Sequence, residues 1–228
     1  MGPREYGERW STLDIDSLRS AGRTSLSEAE VKALLREKGI KTTAFTTPKR
    51  SDLDTLEIDF PVVVKVCSPD VLHKSDQGGV FLDVRDRGEM ISRYDDITRR
   101  FPMAEVLIEP MEKKGFEVIV GLTNDPSFGQ CIMFGSGGVM ANLIQDVSFR
   151  SVPIESKDAK EMIHETKARH VFEGFRGLKA DLDSTVDLLV RVSEMGDELK
   201  DHLDQLDLNP VILYQDGYVV VDAKMVLR

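Results

Sequence analysis

"PVVVKVCSPDVLHKSDQGGV", Pro61 through Val80, joins an apolar run to a polar loop that ends in a Gly-Gly pair. A short, continuous apolar run followed by turn residues reads as a buried strand. Lys65 is the only charge inside that run. A buried lysine needs an anionic partner, or else its stem packs while its head reaches solvent. Both readings of Lys65 stand at this point. The loop behind it, Ser68 to Gly79, carries His73, Lys74, Asp70 and Asp76. Composition alone leaves His73 open as a metal ligand, a general base, a phosphoryl carrier or a polar turn residue.

The neighbouring segments set the architecture. Upstream, "SLSEAEVKALLREKGI" reads as a helix. Ser27 can cap it, Glu30 completes a capping box, and Gly39 ends it. Val31, Leu34 and Leu35 share its apolar face. "KTTAFTT" reads as a short strand, and residues 49–58 as a turn or helical piece. Downstream, "GGVFLDV" alternates as a second strand. An amphipathic helix follows in "RGEMISRYDDITRRF", then strands in "AEVLIEPM", "FEVIVGLTND", "GQCIMFGSGG" and "DVSFRSVPI". Residues 156–168 and 181–202 read as helices. "QLDLNPVILYQDGYVVVDAKMVL" reads as a β-hairpin turning at Asp216-Gly217. Helices and strands in this mixed order predict a layered α+β (α/β) protein rather than a doubly wound sheet.

The 228 residues suit one large domain or two packed subdomains. A net charge of −10 argues against non-specific nucleic-acid binding, which needs a basic footprint. Cys67 and Cys131 form no C-x-x-C pair, so a zinc or redox motif is not expected. Lone cysteines in strands suit a reduced, cytoplasmic protein. The charged N-terminus has no signal-peptide h-region.

Chemistry-bearing residues concentrate in a few places. A turn at Asp216-Gly217 would set Asn209 opposite Lys224 and Val211 opposite Asp222. Asp207, Asn209, Asp222 and Lys224 would then share one face. Asn209 and Asp222 would be diagonal neighbours about 7 Å apart. Such an oxygen-only pair suits Mg²⁺ completed by phosphates, although a solvated face would look the same. "GSGG", Gly135 to Gly138, can turn backbone N–H groups toward an anion or make an ordinary tight turn. Glu109 stands at a strand end, where a carboxylate can meet ligand hydroxyl or amino groups. Glu117 sits between Phe116 and Val118 in another strand. His164, His170 and His202 lack ligand-like companions and read as structural.

Taken together, "LSEAEVKALLREKGI", "PVVVKVCSPDVLHKSDQGGV", "VLIEPMEKKGFEVIVGLTNDPSFGQCIMFGSGG", "DVSFRSVPI", "LDLNPVIL" and "VVVDAKMVL" closely resemble the β subunit of ADP-forming acetyl-CoA synthetase. That family, the NDP-forming acyl-CoA synthetases, belongs to the ATP-grasp superfamily. The resemblance runs from about residue 25 to the end. It implies an ATP-grasp fold of two subdomains with the nucleotide held between two sheets. The expected division is an arm at 1–25, a small subdomain with the histidine loop at 26–108, and a large subdomain with hinge and hairpin at 109–228.

The implied reaction is acyl-CoA + ADP + phosphate ⇌ acid + ATP + CoA. The implied cofactors are ATP/ADP and Mg²⁺, and the implied partner is a CoA-binding α subunit in an α2β2 assembly. By resemblance, His73 is the phosphoryl-accepting histidine, Lys65 binds phosphate, and Lys74 lies beside the phosphates. Glu109 through Met111 is the hinge that reads adenine, and Glu117 the ribose carboxylate. Gly137 and Gly138 belong to the glycine loop, and Asn209 and Asp222 hold Mg²⁺. Asn142 departs from the glutamate usual in the family. Two other readings remain: a succinyl-CoA synthetase-like ligase subunit, and a non-catalytic ATP-sensing subunit. The histidine in "LHKSD" disfavours the first; intact Lys65, His73, Asn209 and Asp222 disfavour the second.

Overall fold

In the computed structural model the apolar run becomes Val62–Cys67, the middle strand of a three-stranded antiparallel sheet. The structure describes residues 13–71, 74–137, 146–174, 177 and 179–228. Among these the order is α1 (Ile15–Ser20), β1 (Ser25–Leu26), α2 (Glu28–Glu37), β2 (Val62–Cys67), β3 (Val80–Val84) and α3 (Arg87–Arg100). There follow β4 (Glu105–Pro110), β5 (Phe116–Asp125), β6 (Gly129–Ser136), β7 (Val147–Ser151), α4 (Ser156–Glu165) and α5 (Arg169–Phe172). The chain ends with α6 (Leu182–Glu198), β8 (Leu203–Tyr214), β9 (Gly217–Val220) and β10 (Ala223–Leu227).

The smaller sheet runs β3-β2-β4, and the larger runs β1-β10-β8-β5-β6-β7 with β9 beside β8. Val62, Val64 and Val66 of β2 pack against Met90, Tyr94 and Ile97 of α3. Fully burying each such aliphatic chain stabilises by about 1.5–3 kcal/mol. The larger sheet sets Val118, Val120, Leu122, Ile132 and Phe134 against Met162 and Ile163 of α4 and Leu188, Leu189 and Val192 of α6.

Helix α2 contributes to both cores. Its capping box forms as expected, with Ser27 and Glu30 bonded reciprocally. Its end is closed by Gly39 N–H donating to the Arg36 carbonyl and Ile40 N–H to that of Leu35. Val31, Leu34 and Leu35 enter the larger core. Ala29 instead joins Phe45, Cys67 and Leu107 under the smaller sheet. Residues 26–40, expected with the smaller unit, are therefore built mainly into the larger core. The expected strand at 41–47 is two single bridges, Thr42 with Val220 of the larger sheet and Thr46 with Ile108 of the smaller. That segment ties the two sheets together.

The hairpin register also differs from expectation. Tyr214 pairs with Gly217, so the turn is Gln215-Asp216. The pairings from Tyr214–Gly217 out to Gln205–Val226 move by one two-residue step, because Gly217 serves as the first strand residue rather than as part of the turn. Asp207 consequently faces Lys224. Asn209 lies across from Asp222, its N–H donating to the Asp222 carbonyl at 3.1 Å. An even shift preserves side-chain parity, so the expected face survives while the partners change. Among the described residues no helix is long and apolar enough to cross a membrane.

Candidate functional site: a charged cleft between the two sheets

The cleft begins with a buried carboxylate. Glu28 opens α2, and its side chain is fully buried. Lys32, one helical turn on, approaches it at 2.7 Å. Lys65 from β2 donates to Glu28 Oε1 at 3.0 Å, and Lys74 donates to Glu28 Oε2 at 2.5 Å. Burial pushes the Glu28 carboxyl up, but Lys32, Lys65 and Lys74 outweigh it and hold it well below the usual carboxylate range.

Glu109 is the second buried carboxylate, at 0% exposure. Its Oε2 accepts from Lys32 at 2.5 Å and from the Thr43 hydroxyl at 2.5 Å. Its Oε1 makes an ion pair with Lys65 at 2.5 Å that lacks hydrogen-bond alignment. Lys65 is 3% exposed, which rules out a solvent-reaching head. Burial lowers its ammonium, and Glu28, Glu109 and Asp222 more than offset this, so it stays firmly protonated.

Lys74 carries the cluster to the cleft. Besides Glu28, its ammonium donates to Asp222 Oδ1 at 2.8 Å. Burial lowers this lysine as well, and Glu28 and Asp222 raise it above its ordinary value. A cavity of about 190 Å³ opens there, lined by Glu28, Lys74, Asp207, Asn209, Asp222 and Lys224 among others. A whole drug-sized ligand needs roughly 300 Å³ or more, so this space suits a phosphate group and an ion. Asp207 is pushed up by burial and then by the Asp222 charge, with Lys224 opposing.

The expected Mg²⁺ can be tested against these donors. Among the described residues no group of three or more His, Cys, Asp or Glu side chains is arranged to hold a metal. The Asn209–Asp222 pair supplies only two oxygen side chains. That donor set fits Mg²⁺, which keeps several waters and takes phosphate oxygens to complete its shell.

The structure thus brings Lys74, Asn209 and Asp222 together at the cavity, with Lys65 joined to Lys74 through Glu28 and Glu109 joined through Lys65 and Lys32. Glu109 departs from expectation: its carboxylate is bound to two lysines and a threonine and cannot read an adenine amino group. The Met111 N–H donates to the Pro61 carbonyl, and the Met111 side chain is 38% exposed. Glu117 is exposed on β5, and its carbonyl accepts from Gly137 N–H at 2.8 Å. A Cβ at Gly137 would stand 2.8 Å from that carbonyl, so glycine is required there. His73, Gly138 and Asn142 lie outside the described residues. Glu28, Lys32 and Thr43 escaped the sequence reading. An i, i+4 Glu–Lys pair on a helix ordinarily marks a solvated face, and nothing local distinguishes a buried one.

Comparison with known proteins places the chain in a family. The ATP-grasp domain family matches residues 17–227. The chain is 42% identical over 228 residues to the Pyrococcus furiosus acetate–CoA ligase [ADP-forming] II subunit beta, covering 94% of this chain and 96% of that one. Ca. Korarchaeum cryptofilum acetyl-coenzyme A synthetase 1, solved with coenzyme A, Ca-AMPCP and HgCl⁺, superposes with a TM-score of 0.86 at 40% identity. That match covers 94% of this chain and 98% of the other. The same enzyme solved with coenzyme A and Mg-AMPPCP has its phosphohistidine segment pointing towards the nucleotide-binding site. It superposes at a TM-score of 0.82 and 40% identity, over 94% of this chain and 98% of that one. With its cleft of lysines and hairpin oxygens between two sheets, the chain belongs to the ATP-grasp domain family, alongside the beta subunits of ADP-forming acetate–CoA ligases.

Proposed function

We propose that this chain is the nucleotide-binding, phosphohistidine-carrying subunit of an ADP-forming acyl-CoA ligase, acting on acetyl-CoA or a related thioester. The observation that carries the reading is the 2.8 Å bond from Lys74 to Asp222. It brings the residue next to His73 in sequence onto the hairpin that presents the oxygen donors.

Phosphoryl transfer needs positioning and charge neutralisation more than covalent work by the protein. His73 is the carrier. In the ATP-forming direction an oxygen of the ADP β-phosphate attacks the phosphorus held on the His73 imidazole. The P–O bond forms as the N–P bond breaks, and the imidazole leaves with its electron pair. Lys65 and Lys74 hold positive charge beside the transferring group. Mg²⁺ at Asn209 and Asp222, when bound, would neutralise phosphate oxygens. Glu117 binds ribose, the Glu109–Met111 hinge reads adenine, and the glycine loop of Gly137 and Gly138 serves the nucleotide. Phosphate reaches His73 from a separate CoA-binding α subunit, and the assembly is α2β2. The likeness to a chain called subunit beta supports that partner.

The test is co-purification with a CoA-binding partner and an assay of ATP formation from acetyl-CoA, ADP and phosphate. Wild type makes ATP only with the partner present, and His73→Ala makes none. Full activity in the variant would remove the carrier role.

A further inference from the structure

Six charged side chains meet at the cleft: the carboxylates Glu28, Glu109 and Asp222, and the ammoniums Lys32, Lys65 and Lys74. Their charges balance, so the cluster is neutral as it stands. Five of the six have side chains at most 10% exposed, and of these Glu28 and Lys74 line the cavity. Asp222 alone is open to the cleft, its side chain 35% exposed. Lys74 sits between the two environments, on Glu28 at 2.5 Å and on Asp222 at 2.8 Å.

A divalent ion and an ammonium cannot share Asp222 without repulsion between them. An ion taking Asp222 and Asn209 therefore removes one of the two carboxylates on which Lys74 depends. The remaining cluster then carries one unbalanced positive charge at the cavity wall, where a phosphate group would lie.

We infer that Lys74 is the internal cation partner of Asp222, and that a divalent ion displaces its ammonium from Asp222 and turns it toward the phosphate. The inference rests on the assignment of Asn209 and Asp222 as the ion's ligands. It adds a coupling that the proposed reaction does not require. Lys74 follows His73 directly, and its carbonyl accepts from Gly79 N–H at 2.7 Å. The main chain at Lys74 is thus tied to the foot of the loop while its side chain reports on the ion. Ion entry and the state of the histidine loop become linked through one side chain. The linkage is reciprocal: a phosphate that attracts Lys74 frees Asp222 and tightens ion binding.

Mn²⁺ titrated into the nucleotide-free chain, with free Mn²⁺ read by electron paramagnetic resonance, tests this directly. Lys74→Met removes the resident ammonium and is expected to bind Mn²⁺ about tenfold more tightly than wild type. That is the factor carried by one charge-assisted hydrogen bond. Lys74→Gln, which keeps a polar head, serves as the second variant should the first not fold. Adding Asp222→Asn to either variant should erase the gain. Unchanged or weaker binding in the lysine variants, or a gain that survives Asp222→Asn, overturns the inference. Absence of Mn²⁺ binding in every chain overturns it as well. The titration uses neither nucleotide nor partner. A failed ATP-formation assay would therefore end the functional reading without deciding this one.

Discussion

Replacing Glu28 by Gln tests the electrostatic construction of the cleft. The substitution keeps size and shape but removes a buried charge on which Lys32, Lys65 and Lys74 converge. It also turns an amide N–H₂ group toward ammoniums. Breaking a buried ion pair from one side costs about 3–5 kcal/mol, because a charge is left buried without its partner. Here Lys32 and Lys65 keep Glu109, and Lys74 keeps Asp222, so the loss should fall near the lower end, about 3 kcal/mol. For a chain of this size that corresponds to a fall in Tm of about 6–12 °C. Thermal unfolding followed by circular dichroism measures it. The pH dependence supplies a second check. The Glu28 carboxyl is held low in the folded state, so its stabilisation is present above its unfolded pKa, about 4.3. It is lost as pH falls through the lower folded value. The gap between wild type and variant should therefore narrow in acid. A variant that melts within about 2 °C of wild type at neutral pH would refute the reasoning.

Other perturbations probe neighbouring parts. Asp207 is raised by burial and by Asp222, so it is easily kept protonated at low pH and resists ionisation as pH rises. Its contribution is fully present below its unfolded pKa and lost as pH rises through the folded one. Asp207→Asn should accordingly raise Tm at pH 7 and have little effect near pH 3; an equal shift at both would contradict this. Asp222→Asn should weaken the enhancement of ADP binding by Mg²⁺ at least about tenfold, read by calorimetry with and without the ion. Equal enhancement in both chains would remove Asp222 from the ion site. Gly137→Ala would place a Cβ 2.8 Å from the Glu117 carbonyl and should destabilise by about 1–3 kcal/mol in chemical denaturation.

How far the sequence was readable differs from element to element. The buried strand at Val62–Cys67 was legible because six consecutive positions leave no polar face to misassign. The capping box of Ser27 and Glu30 was legible because it is local chemistry. The hairpin was recognisable, and its Asp-Gly pair marked the turn to within a residue. Gly217 has a φ of 135°, a value that glycine allows within the strand itself, and this moved the register by one pair. The shared face of Asp207, Asn209, Asp222 and Lys224 survived because parity, not the partner, decides it.

What was not legible depends on tertiary packing. Glu28 and Lys32 have the spacing of an exposed helical pair, yet both are buried because a second sheet covers that side of α2. Glu109 looked available at a strand end, and only the arrival of Lys32 and Thr43 from elsewhere in the chain occupies it. Residues 26–40 carry an apolar stripe that would suit either sheet, and nothing within the helix says which one it joins.

The central claim is that His73 carries the phosphoryl group. It is tested most directly by incubating the chain with Mg²⁺ and ATP labelled at the γ-phosphate, then mapping the label after proteolysis. The account predicts an acid-labile, base-stable label on the peptide containing His73, and none in His73→Ala. A label on another residue, or undiminished labelling in the variant, would contradict it.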